Sequence, residues 1–272
     1  MYRVLVPVDR DTDRAFQQAK YVERLAAGDT ALEATVLYVV PPDEFEDESD
    51  VAFADIETAV EAADYLDDAG VTVERAIDDG GVSEEIVRTA DDVDADELVM
   101  GGRKRSGVTQ VLLGSTVHDV MLSTDRAVTI TGPESAFGSG PRSVLLPVDQ
   151  NRARARRQAD YVAGLPDAAE RVEATVLYVF PHQDYKGAPS HEFADVEAAV
   201  EAADRLEDAG LSVERVAVGG EVARTILDEA DDRDVDGIVL GGRKRSGVQK
   251  VLLGSIAQDV MLAAERPVTL TG

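Results

Sequence analysis

The chain contains no cysteine and no tryptophan, and it has 5 lysines and 5% aromatic residues in a length of 272. Without cysteine there is no disulfide framework, no thiol nucleophile and no Cys-based metal site. With so few aromatics the cores must be built from Val, Leu, Ile and Ala. A hydrophobic content of 44% is enough for real cores and sets aside disorder driven by charge. No apolar run approaches the roughly 18 residues of a membrane span. The opening Met1-Tyr2-Arg3-Val4-Leu5-Val6-Pro7 reads as a strand rather than a signal peptide, so a soluble, cytoplasmic protein is expected. Positive charge is also scarce, with 27 Lys plus Arg against 54 Asp plus Glu, a net charge of −27. Duplex nucleic acids and anionic membranes are recognised through basic faces, so neither is expected as a partner.

What is abundant is short and acidic: 32 Asp to 22 Glu, with 22 Arg supplying most of the positive charge. Such a surface binds water and cations and shows little apolar stem. It is read as adaptation to molar salt, as in a halophilic archaeon, where the Debye length shrinks to about 3 Å and self-repulsion is screened.

The chain repeats at an offset of 140 residues without a gap. Val4-Leu5-Val6-Pro7-Val8-Asp9 returns as Val144-Leu145-Leu146-Pro147-Val148-Asp149. Positions 4–132 and 144–272 share 68 identities in 129 positions. Two complete units follow, over residues 1–132 and 143–272, joined by a Gly-, Ser- and Pro-rich linker at 133–142. In the first unit, short β-branched runs at 3–8, 34–40, 72–76, 97–100 and 127–131 are read as strands of a sheet buried on both faces. Helical patterns fill the intervals at about 11–27, 55–69, 83–92 and 108–123. In the second of these helices Ile56, Val60, Ala63 and Leu66 share one face. Alternating strands and helices predict right-handed crossovers and a parallel, doubly wound sheet, with ligands bound outside the strand carboxyl ends.

Those ends carry Pro7, Asp9, Val39, Met100 and Gly101 in the first unit and Pro147, Asp149, Val179, Leu240 and Gly241 in the second. After the fourth strand runs Gly101-Gly102-Arg103-Lys104-Arg105-Ser106-Gly107, leading to Gly114-Ser115-Thr116. Its counterpart holds Gly241, Arg243 and Lys244 and leads to Gly254-Ser255-Ile256. Glycines let a backbone approach a ligand, and converging N–H groups with Arg and Lys describe an anion site. The alternative is a tight turn whose cations balance neighbouring carboxylates. The loop is not a Walker motif, because Val108-Thr109 follows Gly107 where Lys and Ser/Thr are needed. Asp9-Arg10-Asp11 replaces the dinucleotide fingerprint after the first strand. Asp9 and Asp149 either contact a ligand, including nucleotide-bound Mg²⁺, or cap the following helix. His118, His182 and His191 share no metal-ligand spacing and do not recur. The acidic tract at 43–50 is read as a solvated loop over the second strand end.

At these residues the chain resembles the universal stress protein family over nearly its whole length. The family signature is Gly, two residues, Gly, nine residues, Gly, then Ser or Thr. It is met by Gly101, Gly114 and Ser115 and by Gly241, Gly254 and Ser255, with Lys104 and Lys244 in place of the second glycine. The resemblance implies two flavodoxin-like (Rossmann-like) domains, each a five-stranded parallel sheet in the order 3-2-1-4-5 with helices on both faces. It implies ATP or AMP across the strand ends: Asp9 and Val39 toward adenine and ribose, Gly101 toward ribose and phosphates, and Gly114, Ser115 and Thr116 donating to phosphate. Asp149, Val179, Gly241, Gly254, Ser255 and Ile256 would do the same in the second unit. Lys104 and Lys244 would either obstruct the approach or pair with phosphate. The resemblance also implies that the last strands pair, making a pseudo-dimer within one chain; association into a homodimer stays open. The function expected is that of a non-catalytic, adenine-nucleotide-binding stress regulator with an unidentified protein partner. Its rivals are a slow ATPase or autophosphorylating protein with Ser106, Ser115 or Thr116 as acceptor, and an interaction module without nucleotide.

Overall fold

A computed structural model describes residues 1–42, 51–104, 111–132, 140–181, 192–245, 248–252 and 254–272, with backbone alone at 103–104, 111–112, 243–245 and 248–252. The acidic tract at 43–50, most of the linker at 133–139, Ser106, Gly107, Gly247, His182, His191 and the side chains of Arg103, Lys104, Arg243 and Lys244 lie outside the described residues.

The first unit runs β1 (Tyr2–Val8), α1 (Thr12–Ala26), β2 (Leu32–Val40), α2 (Glu57–Asp68), β3 (Thr72–Asp79), α3 (Val82–Asp92), β4 (Glu97–Gly101), β5 (Arg103–Lys104), β6 (Val111–Leu112), α4 (Ser115–Ser123) and β7 (Ala127–Thr131). The second runs β8 (Arg142–Pro147), α5 (Arg152–Ala163), α6 (Ala168–Arg171), β9 (Val172–Phe180), α7 (Glu197–Asp208), β10 (Ser212–Gly219), α8 (Val222–Asp232), β11 (Gly237–Gly241), β12 (Arg243–Arg245), β13 (Val248–Leu252), α9 (Ser255–Ala263) and β14 (Val268–Thr271).

Local chemistry explains the helices. Ala15, Gln18, Ala19, Val22 and Leu25 recur every three or four residues and form the buried face of α1. Asp11 starts it by accepting from the Arg14 N–H at 3.0 Å, and Asn151 does the same for Arg154 on α5 at 3.0 Å. These two residues are the helix caps, one turn beyond Asp9 and Asp149. Asn151→Ala is expected to lower stability by about 1 kcal/mol, measurable as a shift in denaturant midpoint without a change in slope. Helices α2 and α7 end before Gly70 and Gly210, whose φ values of 84° and 90° lie where a side chain is strained.

Two expectations shift. The helix expected from 108 begins at Ser115, because a two-stranded antiparallel ribbon, β5 with β6, intervenes. Strand β3 extends to Asp79 and is largely exposed, as suits an edge strand rather than one buried on both faces.

Ten strands form one sheet in the order β10-β9-β8-β11-β14-β7-β4-β1-β2-β3. Each half has the order 3-2-1-4-5 and is parallel throughout, and the halves join through antiparallel β7 and β14, with Thr129 opposite Thr269. This is the tandem flavodoxin-like fold. Pairing satisfies what would be two exposed sheet edges. Apolar side chains from both units merge into one cluster on each face of the sheet, one including Val22, Leu66, Val162 and Leu206, the other Ile86, Met121, Ile226 and Met261.

The seam is polar at its centre and asymmetric. Glu97, 0% exposed, accepts from the hydroxyls of Tyr2 at 2.8 Å, Tyr21 at 2.9 Å and Thr129. Thr129 Oγ1 lies 2.6 Å from Thr269 Oγ1, and Tyr161 approaches Tyr21 with the hydroxyls 3.5 Å apart. The repeat partner of Glu97 is Gly237, which lines a cavity of about 30 Å³ together with Tyr161, Arg142 and Thr269.

Candidate functional site

Strands β1 and β4 pair only at Val4 with Glu97 and Leu5 with Leu98, and beyond that they part, since their crossovers leave to opposite faces. Gln18, 2% exposed, fills the fork: its Nε2 donates to Pro7 O at 2.8 Å and to Val99 O at 2.7 Å. Gln158 makes the same two bonds, to Pro147 O and Val239 O, both at 2.8 Å. Each amide replaces ladder bonds that the diverging strands cannot make, so the fork stays open as a cleft.

The first cleft holds about 570 Å³. Pro7 and Asp9 close β1, Tyr38 and Val39 close β2, and Met100 and Gly101 close β4. Gly114, Ser115 and Thr116 bring the start of α4 to the same place, and Arg10, Arg14 and Gln18 complete the wall. Gly114 has no side chain to cap α4, so the first-turn N–H groups face the cleft with the positive end of the helix dipole behind them. At Gly101 a Cβ would lie 3.0 Å from Arg14 Cβ and 3.1 Å from Gln18 Oε1. Glycine is therefore required by close packing from below, a reason distinct from ligand approach.

Asp9 is held from several sides. Its carboxylate accepts from Asp11 N at 3.0 Å and pairs with Arg14 Nη2 at 2.6 Å, while its carbonyl accepts from Thr58 Oγ1 at 2.7 Å. The Arg14 side chain is only 16% exposed, so this pair is better sheltered from solvent than the ion pairs of the outer surface. Arg10 stacks over the Tyr38 ring, 5.6 Å from its centroid, at the mouth. Among the described residues no group of three or more His, Asp or Glu is placed to hold a metal ion. With Asp9 already paired, this donor set does not fit a resident divalent cation.

The second cleft, of about 250 Å³, gathers Pro147, Asp149, Val179, Leu240, Gly241, Gly254 and Ile256, with Arg154 paired to Asp149. Ser255, at the start of α9, is exposed and is not part of its lining. The residues singled out from sequence with described side chains are thus adjacent in space, although strand ends nearly a hundred residues apart contribute them. Arg14, Gln18 and their counterparts were not singled out. A signal existed, because both pairs recur at the same offset on the otherwise apolar face of a helix.

A doubly wound tandem with an open fork at each switch point defines a two-domain α/β protein. The chain belongs to the universal stress protein family, which matches residues 1–132 and 141–272. A universal stress protein of Mycolicibacterium smegmatis is 38% identical over 86 residues, 31% of this chain and 62% of that protein. One from Methanocaldococcus jannaschii is 33% identical over 63 residues, 23% of this chain and 39% of its own. The matched segments thus span less than two thirds of either relative. A universal stress protein from Archaeoglobus fulgidus shares the fold across 98% of this chain and 97% of its own, with TM-score 0.70 at 18% identity. Among the described residues no helix is long and apolar enough to cross a membrane.

Proposed function

We propose that the chain is a cytoplasmic stress-response regulator that binds an adenine nucleotide, ATP or AMP, at the carboxyl ends of its strands, and whose occupancy changes its engagement with a protein partner. The observation that carries this reading is the convergence, in one open fork, of an uncapped helix start at Gly114 with Ser115 and Thr116. Backbone N–H groups at a helix start bind phosphate oxygens, and the two hydroxyls add donors of the right reach. The apolar side of the cleft, Val39, Val82, Ile86 and Met100, suits the flat face of a base. Pockets that take small ligands span roughly 300 to 1,000 Å³, a range that includes the 570 Å³ of the first cleft. Membership of the family supports the same assignment. Among the described residues the carboxylates that line the cleft, Asp9 and Asp11, both pair with Arg14, so turnover is not expected.

Calorimetric titration of the full chain in molar KCl tests this. AMP and ATP should bind in the micromolar range, about −8 kcal/mol, and CMP about tenfold more weakly. Absence of binding, or equal affinity for CMP, refutes the assignment. Release of ADP over hours would replace a regulator by a slow ATPase.

A further inference from the structure

The two clefts descend from one repeated segment, yet their differences concentrate at the rim. Arg10 becomes Gln150, Asp11 becomes Asn151 and Thr116 becomes Ile256, while Pro7, Asp9, Arg14, Gln18 and Gly101 all have identical counterparts. The walls, the Gly-Arg-Lys loop sequence and the Gly-Ser helix start are kept, whereas a cation at the mouth and a hydroxyl in the first helical turn are not.

Three physical consequences follow. The first concerns space: the second cleft holds about 250 Å³ against 570 Å³ in the first. In each cleft the arginine packs on the glycine that ends the fourth strand. At Gly101 the nearest Arg14 atom would be 3.0 Å from an added Cβ, whereas at Gly241 that Cβ would overlap the Arg154 stem. The Arg154 stem packs closely on Gly241, and beside it Gln158 Oε1 is buried with no hydrogen-bond partner. The second consequence concerns hydrogen bonding. Ile256, 39% exposed, stands where Thr116 offers a hydroxyl. An apolar branch there strips water from a phosphate without replacing its hydrogen bond. The third concerns charge. Arg10 brings a guanidinium to the first mouth, while at the second the neutral Gln150 donates to the Tyr178 hydroxyl at 3.2 Å. Among the described residues the second cleft therefore lacks the counterparts of Arg10 and of the Thr116 hydroxyl and has less than half the volume.

We propose that the clefts have divided their roles, the first alone accepting the phosphate-bearing ligand, so that one chain binds one nucleotide. This rests on the adenine-nucleotide reading given above. The pseudo-symmetric molecule is then functionally one-sided: the first unit carries the ligand, and the second is joined to it through the central strands β7 and β14.

The test is stoichiometry and its response to paired substitutions, by calorimetric titration of AMP into the full chain in molar KCl. Ser115→Glu and Ser255→Glu place a carboxylate at the first position of α4 and α9, where the helix dipole favours it, so both variants should fold. The expected result is one AMP per chain, about tenfold weaker binding for Ser115→Glu, and affinity within about twofold of wild type for Ser255→Glu. Two AMP per chain, or equal weakening by the two variants, overturns the division of roles and leaves the nucleotide assignment standing. No binding by the wild type refutes the nucleotide assignment, and the division of roles with it.

Discussion

Glu97→Ala is expected to lower the free energy of unfolding by about 3 kcal/mol, while Glu97→Gln, which keeps the shape and one acceptor, should cost about 1 kcal/mol. The carboxyl is fully buried and receives three hydroxyl hydrogen bonds, from Tyr2, Tyr21 and Thr129. Alanine removes the acceptor these hydroxyls share, leaving Thr129 to Thr269 and Tyr21 to Tyr161, and a buried hydroxyl that loses its partner costs roughly 1–3 kcal/mol before the surroundings relax. Denaturant unfolding at fixed high salt reads the difference, and coincident midpoints for wild type and Glu97→Ala would show that the seam contributes nothing. The network also sets a pH dependence. Burial raises the Glu97 pKa above the usual glutamate value, against the opposing hydrogen bonds from Thr129, Tyr2 and Tyr21. A folded state that holds the proton more tightly than the unfolded chain is favoured at low pH. This contribution is whole below about pH 4 and is lost as pH rises through the folded value. Glu97→Gln should remove that slope. Tyr2, Tyr21 and Tyr161 are likewise held above the ordinary tyrosine value, by burial first and by Glu97 second. Stability should therefore fall again as pH passes about 10, with tyrosinate absorbance from these three appearing only on unfolding.

Diluting KCl from about 1 M to about 0.1 M is expected to lower the melting temperature by on the order of 10 °C, equivalent to roughly 3 kcal/mol for a chain of this size. The dilution lengthens the Debye length from about 3 Å to about 10 Å, so each surface carboxylate then feels several neighbours instead of one. The repulsion is unevenly shared. Residues 1–132 carry 30 acidic and 11 basic side chains, net −19, whereas 143–272 carry 23 and 15, net −8. Part of the acidic surface is already compensated by arginine, as where Arg75 bridges Asp64 and Asp67, or where Arg215 joins Asp204 and Glu207. Exposed pairs of this kind contribute at most about 1 kcal/mol each and do not cancel the excess. The first unit should therefore loosen first on dilution, which hydrogen exchange resolves by segment. A melting temperature independent of KCl would remove the halophilic reading of the composition.

The repeat, the alternation of strands and helices and the strand ends could be read from the chain because each rests on short-range pattern: β-branched runs, three- and four-residue apolar spacing, and glycine after a buried strand. Closing strands 127–131 and 267–271 were recognisable as edges in need of partners, and β7 with β14 supplies them. The start of α4 was misjudged because the run between Gly107 and Gly114 has helical composition, yet Val111 and Leu112 within it form the second strand of a ribbon. Arg14 and Gln18 escaped notice because nothing local marks a polar residue on a helix as the filler of a fork between two strands, one of which is encoded some eighty residues later.

By itself, then, the sequence determined the two units, their doubly wound class, the acidic surface and the neighbourhood of the clefts, since all of these follow from composition and local periodicity. Only the tertiary structure decided that Glu97 gathers three hydroxyls at the seam, that Arg14 pairs with Asp9, and that the second cleft is the smaller of the two. Those outcomes depend on how side chains far apart in the chain compete for the same few cubic ångströms. No pattern of residues along the chain carries that information.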